Sequence, residues 1–490
     1  MQVKVTRKSL RFDPDPTRVI AQYSSLSGET GKRIIKAVMD MNDDEVSTEI
    51  SQVLRGYVKR HRNITKIFEK NFNKIKHLFD ELDKDPERLD HNRKILIGSY
   101  FTMEYSVESA AFFNPSIVEH PDQSELHPGE KRIILSFRAT GEGHISSIVF
   151  RSGIIDKNNN LVFNERGRML DEPKEITQHM YDKRSFQSKL EMMKFYDKTL
   201  PPSVILDQLN DSFTYEELKR IVDKTGKSYK FSETETLTLK QIMWLASSHY
   251  DIEFSMDTSL SERVIFPILD TERNGIEDAR FVRFVDDDEK VKYFATYTAY
   301  DGSVILPKLI ETDSFYKFKF LPLDGEVVKN KGMALFPRKI NGKYAMLCRI
   351  DGASNYISFS DDYTKWDKAE LIQEPKYPWE FIKIGNCGSP IETKEGWLLI
   401  THGVGQMREY VLGASLFDLD DPTKEIGRLK TPLMMPNSEE REGYVPNVIY
   451  SCGAMANNGD LIIPYGISDY ASTYACVNMD ELLDTLKTSK

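Results

Sequence analysis

The stretch SFRATGEGHISSIVFRSG (136–153) sets Arg138, Glu142 and His144 around a glycine-rich turn between two apolar, strand-like runs. Hairpin turns are normally built from Asn, Asp, Gly and Ser. A cation, a carboxylate and an imidazole at such a turn are groups that bind or protonate a ligand. A second constellation is GIEDAR (275–280), where Asp278 follows Glu277, precedes Arg280 by two positions and leads into a strongly apolar strand. Burial beside another carboxylate would hold Asp278 protonated, ready to act as a general acid. The plain alternative is an ion pair closing a strand unit. Lys331, Arg349, Lys383, His402 and Tyr410 follow at strand ends and in short connections. Cations and an imidazole converging on one point make an anion site, and phosphate is the usual small anion. Acids and amides such as Asn114, Asn447 and Asp469, together with tyrosines, suit sugar hydroxyls and ring faces. Each residue also has a bland reading: His402 as a satisfied strand-end histidine, Arg349 as a bridging cation, Asp469 as a turn residue. The set says more than its members.

Residues so far apart in sequence meet only if the fold brings strand ends together. From residue 112 short β-rich runs alternate with tight turns, and Asn341-Gly342 and Asn458-Gly459 between apolar runs are strong hairpin signals. Turns at 288, 341, 395 and 458 recur at spacings of 53, 54 and 63 residues, and the hairpin near 130–138 supplies an earlier unit. A strand-rich unit repeated five times predicts a mainly β chain folded as a five-bladed β-propeller, whose inner strands converge on a central channel. Residues 1–110 carry a helical region: from Val46 to Leu82 apolar residues recur at helical spacing, and a further helix is expected over roughly 90–108. That stripe is expected to pack on its own protein. Residues 111–153 form the first blade, 154–257 a helical insertion in which Thr214 and Glu217 have capping-box spacing, and 258–490 the remaining blades.

The 490 residues are 40% hydrophobic and 29% charged, with a net charge of −10, the balance of a soluble globular chain without a basic field for nucleic acid. Cys348, Cys387, Cys452 and Cys476 form no CxxC pair and are expected to be buried free thiols. There is no Walker loop, GxGxxG turn or HExxH helix, so nucleotide and zinc chemistry are disfavoured, and neither a metal nor a cofactor is expected. The first residues lack an apolar leader, and no apolar run is long enough for a bilayer, so no membrane partner is expected and a cytoplasmic location is.

SFRATGEGHISSI, GIEDARF with YFATYTAYDG, ALFPRKINGKYAMLCR, EGWLLITHGV with YVLGASLFDLDDP, and GYVPNVIYSCGA with YGISD resemble glycoside hydrolase family 130 over roughly 112–153 and 258–485. The resemblance implies a five-bladed propeller acting on β-mannosides, here of a longer branch with extra helices. It implies that Asp278 is the general acid. Asn114, Arg138 and Asp469 would hold the mannose, with Glu142, His144, Glu277 and Arg280 shaping the pocket. Lys331, Arg349, Lys383, His402 and Tyr410 would hold inorganic phosphate, which is then the co-substrate. Many phosphorylases of the family have Arg-Asn where this chain has Lys331-Gly332. The implied reaction is inverting phosphorolysis of β-mannooligosaccharides to α-mannose 1-phosphate, the proton of Asp278 passing through the mannose 3-hydroxyl. An inverting β-mannosidase would need a base to activate water, for which Glu440 and Glu442 are candidates. A non-catalytic glycan-binding propeller is the third reading. The helical regions could serve a homo-oligomer contact.

Overall fold

A computed structural model describes residues 3–167, 169–173, 175–178, 180–192, 203–228, 230–267, 269, 272–300 and 305–488. Residues 193–202 of the expected helical insertion and the Asp301-Gly302 end of one family-like motif lie outside the described residues.

The fold is mainly β. Antiparallel strands fall into five consecutive units. The first is Ala111–Glu119, Lys131–Thr140 and Ser146–Ile155; the second is Gly275–Val285, Val291–Tyr300, Ile305–Thr312 and Lys317–Pro322. A parallel pairing of Gly275 with Ser146 joins these two into one eleven-stranded sheet. The third unit is Ala334–Leu335, Tyr344–Cys348, Asn355–Ser360 and Ala369–Gln373. The fourth is Lys383–Asn386, Gly396–Val404, Tyr410–Phe417 and Glu425–Arg428, and the fifth is Ile449–Tyr450, Asp460–Ile467 and Ala471–Asn478. Val5–Arg7 adds an outer strand to the fifth unit, pairing with residues 475–477. Inner strands such as Gly396–Val404 are buried along their whole length, which is why GWLLITHGV reads as a continuous apolar run rather than an alternating one. The expected Asn-Gly turns are present: φ is +50° and +78° at Asn341-Gly342, and +46° and +79° at Asn458-Gly459, the left-handed pair of a type I′ hairpin.

Main-chain and side-chain hydrogen bonds tie each unit to the next. Ser116 Oγ accepts from Phe281 N at 3.2 Å, Pro337 O from Val285 N at 2.9 Å and Ala353 O from Ile384 N at 2.8 Å. Asn447 O accepts from Tyr410 N at 3.0 Å; the fifth unit returns to the first through Phe112 N to Tyr470 O and Cys452 N to Pro115 O, both 2.8 Å. All four cysteines are free and buried.

The helices before the first unit, Gly28–Asp40, Asp43–Tyr57, Ile64–Lys74 and His91–Tyr100, pack on one another through Ile35, Val46, Ile50, Phe68, Phe72 and Ile95. Most of the stripe therefore faces its own core, while Tyr57 and Val58 are exposed. The helix expected over 90–108 stops at Tyr100. Thr102–Glu108 is a strand paired with Asp15–Tyr23, because TMEYSVE places Tyr105 and Val107 on one buried face at a spacing of two, a strand period and not a helical one. The insertion has a separate core, including Phe186, Leu190, Phe213, Leu218 and Ile242, and its Thr214–Glu217 capping box is formed. It departs from and returns to the second unit through Glu175–Gln178 and Tyr250–Glu253, which pair with each other and extend that sheet. Among the described residues no helix is long and apolar enough to cross a membrane.

Candidate active site

Asn114, Asp278 and Asp469 reach the site on left-handed backbone, with φ of +50°, +54° and +50°. Asn and Asp tolerate this conformation better than other side chains with a Cβ. The strands carrying the first two slip register where they do so, between Phe113 and Ser116 and between Glu277 and Arg280. Such bulges turn a side chain out of the ladder toward a neighbour. The result is a carboxyl corner. Asn114 Nδ2 donates to Asp278 Oδ1 at 2.7 Å. Arg138 donates from Nη1 to the same oxygen at 3.4 Å, from Nη2 to Glu277 Oε1 at 2.8 Å and from Nε to Ser146 Oγ at 2.8 Å. Lys331 Nζ takes the other oxygen of Glu277.

These contacts overturn one expectation. Burial pushes Asp278 upward, but Arg138, Lys331, the Asn114 hydrogen bond and Arg280 together outweigh it, and its carboxyl is held below the usual range. Asp278 is therefore ionised in the free site. Asp469 behaves in the opposite way. Burial, then the charge of Asp278, pushes it up to about 6 against Arg138 and Arg408.

A cation corner lies across Arg280. Arg280 donates from Nη1 to Asn386 Oδ1 at 2.6 Å and to Asn386 O at 3.0 Å, and from Nη2 to Tyr450 Oη at 2.6 Å. Asn386 in turn donates to Gly332 O at 2.6 Å. Arg280 thus spends its guanidinium donors on Asn386 and Tyr450. Arg349 Nη1 lies 3.2 Å from His402 Nε2, while Arg349 Nε is buried without a partner. His402 is held well below the ordinary imidazole range by burial and by Arg349, Arg280 and Lys383, so its neutral ring accepts from Arg349. Its ring lies parallel to Tyr410 at 6.1 Å and edge-on to Tyr450 at 4.8 Å, and Lys383 Nζ sits 5.7 Å over Tyr410. Two glycines make this approach feasible. A Cβ on Gly385 would stand 2.4 Å from His402 Cε1 and 2.8 Å from Arg349 Nη1. Gly332, at φ +92°, leaves open the space between Arg280 Nη2 and Arg349 Nη2, each 3.8 Å from where its Cβ would be.

The remaining expected residues separate. Lys331 belongs to the carboxyl corner through Glu277. Glu142 is exposed, and its carbonyl oxygen accepts from Tyr105 Oη at 3.0 Å. His144 is exposed and lies 5.1 Å from Tyr444, which is 66% exposed, so the pair forms part of the rim. Asn447 Oδ1 accepts from Arg441 Nε at 2.7 Å. Glu440 is 5% exposed and held on both oxygens, by Arg7 Nε at 3.1 Å, Tyr465 Oη at 2.6 Å and Asn437 N at 3.0 Å. Glu442 is exposed. Sequence reading missed Asn386, Tyr450, Ser146 and Arg408. Arg408 ends a turn, Gly405-Gln406-Met407-Arg408, that repeats the backbone of Gly141-Glu142-Gly143-His144, although in sequence the two share only the leading glycine. The leading glycines have φ of −112° and −111°, and the fourth residues +56° and +58°. Among the described residues no group of three His, Cys, Asp or Glu side chains is placed to hold a metal ion.

Residues 219–488 match the profile of glycoside hydrolase family 130, described as beta-1,4-mannooligosaccharide phosphorylase. The chain is 41% identical over 155 residues to a 1,2-beta-oligomannan phosphorylase of Thermoanaerobacter sp. strain X514, covering 31% of this chain and 52% of that protein. It is 28% identical over 287 residues to a beta-1,2-mannobiose phosphorylase of Listeria innocua, covering 57% of this chain and 77% of the relative. The aligned stretch thus spans about half of the first relative and about three quarters of the second. The solved structure of a beta-1,2-mannobiose phosphorylase from Listeria innocua with beta-1,2-mannobiose superposes with a TM-score of 0.47 at 22% identity, over 79% of this chain and 94% of that one.

Proposed function

The chain belongs to glycoside hydrolase family 130, and from that premise we propose that it is an inverting β-mannoside phosphorylase. In this reading the five units close into a propeller, which the hydrogen bonds from each unit to the next and from the fifth back to the first support. The mannosyl residue lies at the carboxyl corner, against Asn114, Arg138, Asp278 and Asp469. Inorganic phosphate lies at the cation corner, against Arg349, Lys383, His402 and Tyr410. A phosphate oxygen attacks C1 from the face opposite the leaving sugar; the C1–O bond breaks, and the leaving oxygen takes a proton by way of Asp278. Phosphate is already nucleophilic and needs no base.

The observation that carries this reading is the incomplete wiring of the cation corner. Arg349 Nε is buried with no acceptor, and His402 stays neutral among three cations, Arg349, Arg280 and Lys383. A buried guanidinium N–H without an acceptor is costly unless an anion completes it. The two relatives named above, a 1,2-beta-oligomannan phosphorylase and a beta-1,2-mannobiose phosphorylase, point the same way. The hydrolase reading keeps only the exposed Glu442 as a base, since Glu440 is tied on both oxygens. The test is to incubate β-mannobiose and longer β-mannooligosaccharides with and without phosphate. Release of α-mannose 1-phosphate only when phosphate is present is expected. Phosphate-independent release of free mannose would instead establish a mannosidase, and sugar binding without turnover a non-catalytic lectin-like role.

A further inference from the structure

At the cation corner a line of contacts runs from a thiol to a guanidinium. Cys387 and His402 are 2% and 1% exposed. Cys387 Sγ lies 3.8 Å from His402 Nδ1, and His402 Nε2 lies 3.2 Å from Arg349 Nη1. A guanidinium nitrogen only donates, so Nε2 is the acceptor and carries no proton. The neutral imidazole then has its proton on Nδ1, aimed at the sulfur of Cys387, a weak acceptor. An imidazolium would set N–H against N–H at Arg349. The geometry therefore selects one tautomer of this ring.

The surroundings hold the ring in place. His402 lies parallel to Tyr410 at 6.1 Å and meets Tyr450 edge-on at 4.8 Å. Gly385 stands opposite His402 in the strand ladder. A Cβ there would lie 2.8 Å from both His402 Nε2 and Arg349 Nη1, within the hydrogen bond itself, so only glycine leaves that bond intact. On Arg349 the bond engages Nη1 alone. Nε has no acceptor, and among the described residues Nη2 forms no hydrogen bond and no carboxylate pairs with the side chain. Nε and Nη2 form one edge of the guanidinium, the kind of edge that grips an oxyanion through two parallel hydrogen bonds. Nη2 opens on the space that Gly332 leaves, 3.8 Å from where a Cβ would stand.

We propose that Cys387 is a positioning residue for the nucleophile: it holds His402 in the Nδ1–H tautomer, and His402 Nε2 in turn holds Arg349 with its Nε–Nη2 edge free for a tetrahedral oxyanion. The inference rests on the phosphorylase reading above, in which that oxyanion is inorganic phosphate. Cys387 itself touches neither substrate. Its effect passes through two hydrogen bonds and falls on phosphate alone, because the mannosyl residue is held at the carboxyl corner.

The tautomer can be read without turnover, by 15N NMR of the whole protein labelled at its histidines, with His402→Gln identifying the signal among the nine. The wild-type ring should carry its proton on Nδ1. Cys387→Val, which removes the sulfur acceptor at similar volume, should mix the tautomers or move the proton to Nε2. Cys387→Ser, which keeps an acceptor, should restore the Nδ1–H ring. Phosphorolysis of β-mannobiose is followed in the same proteins, together with calorimetry of inorganic phosphate. In Cys387→Val the KM for phosphate should rise about 3- to 10-fold, the scale of one hydrogen bond, with kcat at saturating phosphate and the KM for mannobiose unchanged. Cys387→Ser should recover most of that loss. A wild-type ring protonated on Nε2 would overturn the proposal. So would a Cys387→Val protein that keeps both the Nδ1–H ring and wild-type phosphate affinity, one in which both KM values rise together, as loosened packing would produce, or a serine variant no better than the valine one. Absence of phosphorolysis in wild type overturns the proposed function instead, and the tautomer and the phosphate calorimetry still decide the role of Cys387.

Discussion

The two corners of the site are built to opposite rules. At the carboxyl corner the ionised acids are matched: Asp278 by Asn114 and Arg138, Glu277 by Arg138 and Lys331. At the cation corner charge is left over: Arg349 keeps a buried N–H without an acceptor, Lys383 rests over a tyrosine ring, and His402 is kept neutral by its cationic neighbours. A site wired in this way is ready for a neutral sugar on one side and short of an anion on the other. Arg280, two residues after Asp278, is itself held by Asn386 and Tyr450.

Breaking the matched corner should have the larger effect. Asp278→Asn keeps the shape but removes the acid through which the proton passes. Phosphorolysis should fall by roughly 10³-fold, in the range general acid catalysis supplies, while mannoside binding by calorimetry persists. Wild-type turnover in this variant would remove Asp278 from the chemistry. At the unmatched corner, Arg349→Met should raise the KM for phosphate by about 10- to 100-fold, the equivalent of about 1.5–3 kcal/mol for a charge-assisted hydrogen bond, with little change in the KM for the mannoside. An equal rise in both would mean that the two corners do not divide the substrates. The smallest effect is on stability and sharpens the contrast within the carboxyl corner. Asp469 is protonated in the fold up to about pH 6 but ionises near 3.9 when unfolded, so the folded form binds the extra proton between these values. Its contribution to stability is complete below the unfolded value and is lost as pH rises through about 6. Asp469→Asn should therefore be more stable than wild type at pH 7, by about 1–3 kcal/mol, with the difference shrinking toward pH 4. Asp278, depressed instead of raised, has the opposite sign: its contribution is present above the unfolded carboxylate value and is lost as the solution is acidified through the folded one. Denaturant unfolding at several pH values measures both.

What the sequence disclosed follows the reach of each interaction. The Asn-Gly hairpins, the all-apolar inner strands and the Thr214–Glu217 cap are decided within a few residues, and they were legible. Thr102–Glu108 was also legible in principle, since its apolar residues alternate, but it directly follows the helix ending at Tyr100 and was absorbed into it. Glu440 could not be read locally. In sequence it sits in a charged loop, and only Arg7, 433 positions away, and Tyr465 make it a buried structural acid. The ionisation of Asp278 was misjudged for the same reason. Its neighbour Glu277 was visible and argued for a proton, whereas Asn114, Arg138 and Lys331, which argue against one, come from distant units.

The pairing of residue 5 with residue 477 bears on how the molecule folds. Strand Val5–Arg7 and its hydrogen-bonding partner are 472 positions apart. Arg7 also clasps Glu440, 433 positions away, whose carbonyl oxygen accepts from Ser468 Oγ beside Asp469. Contacts of such sequence separation form slowly, so closing this seam is a natural late event of folding, and catalytic competence should arrive with it rather than with the bulk of the β structure.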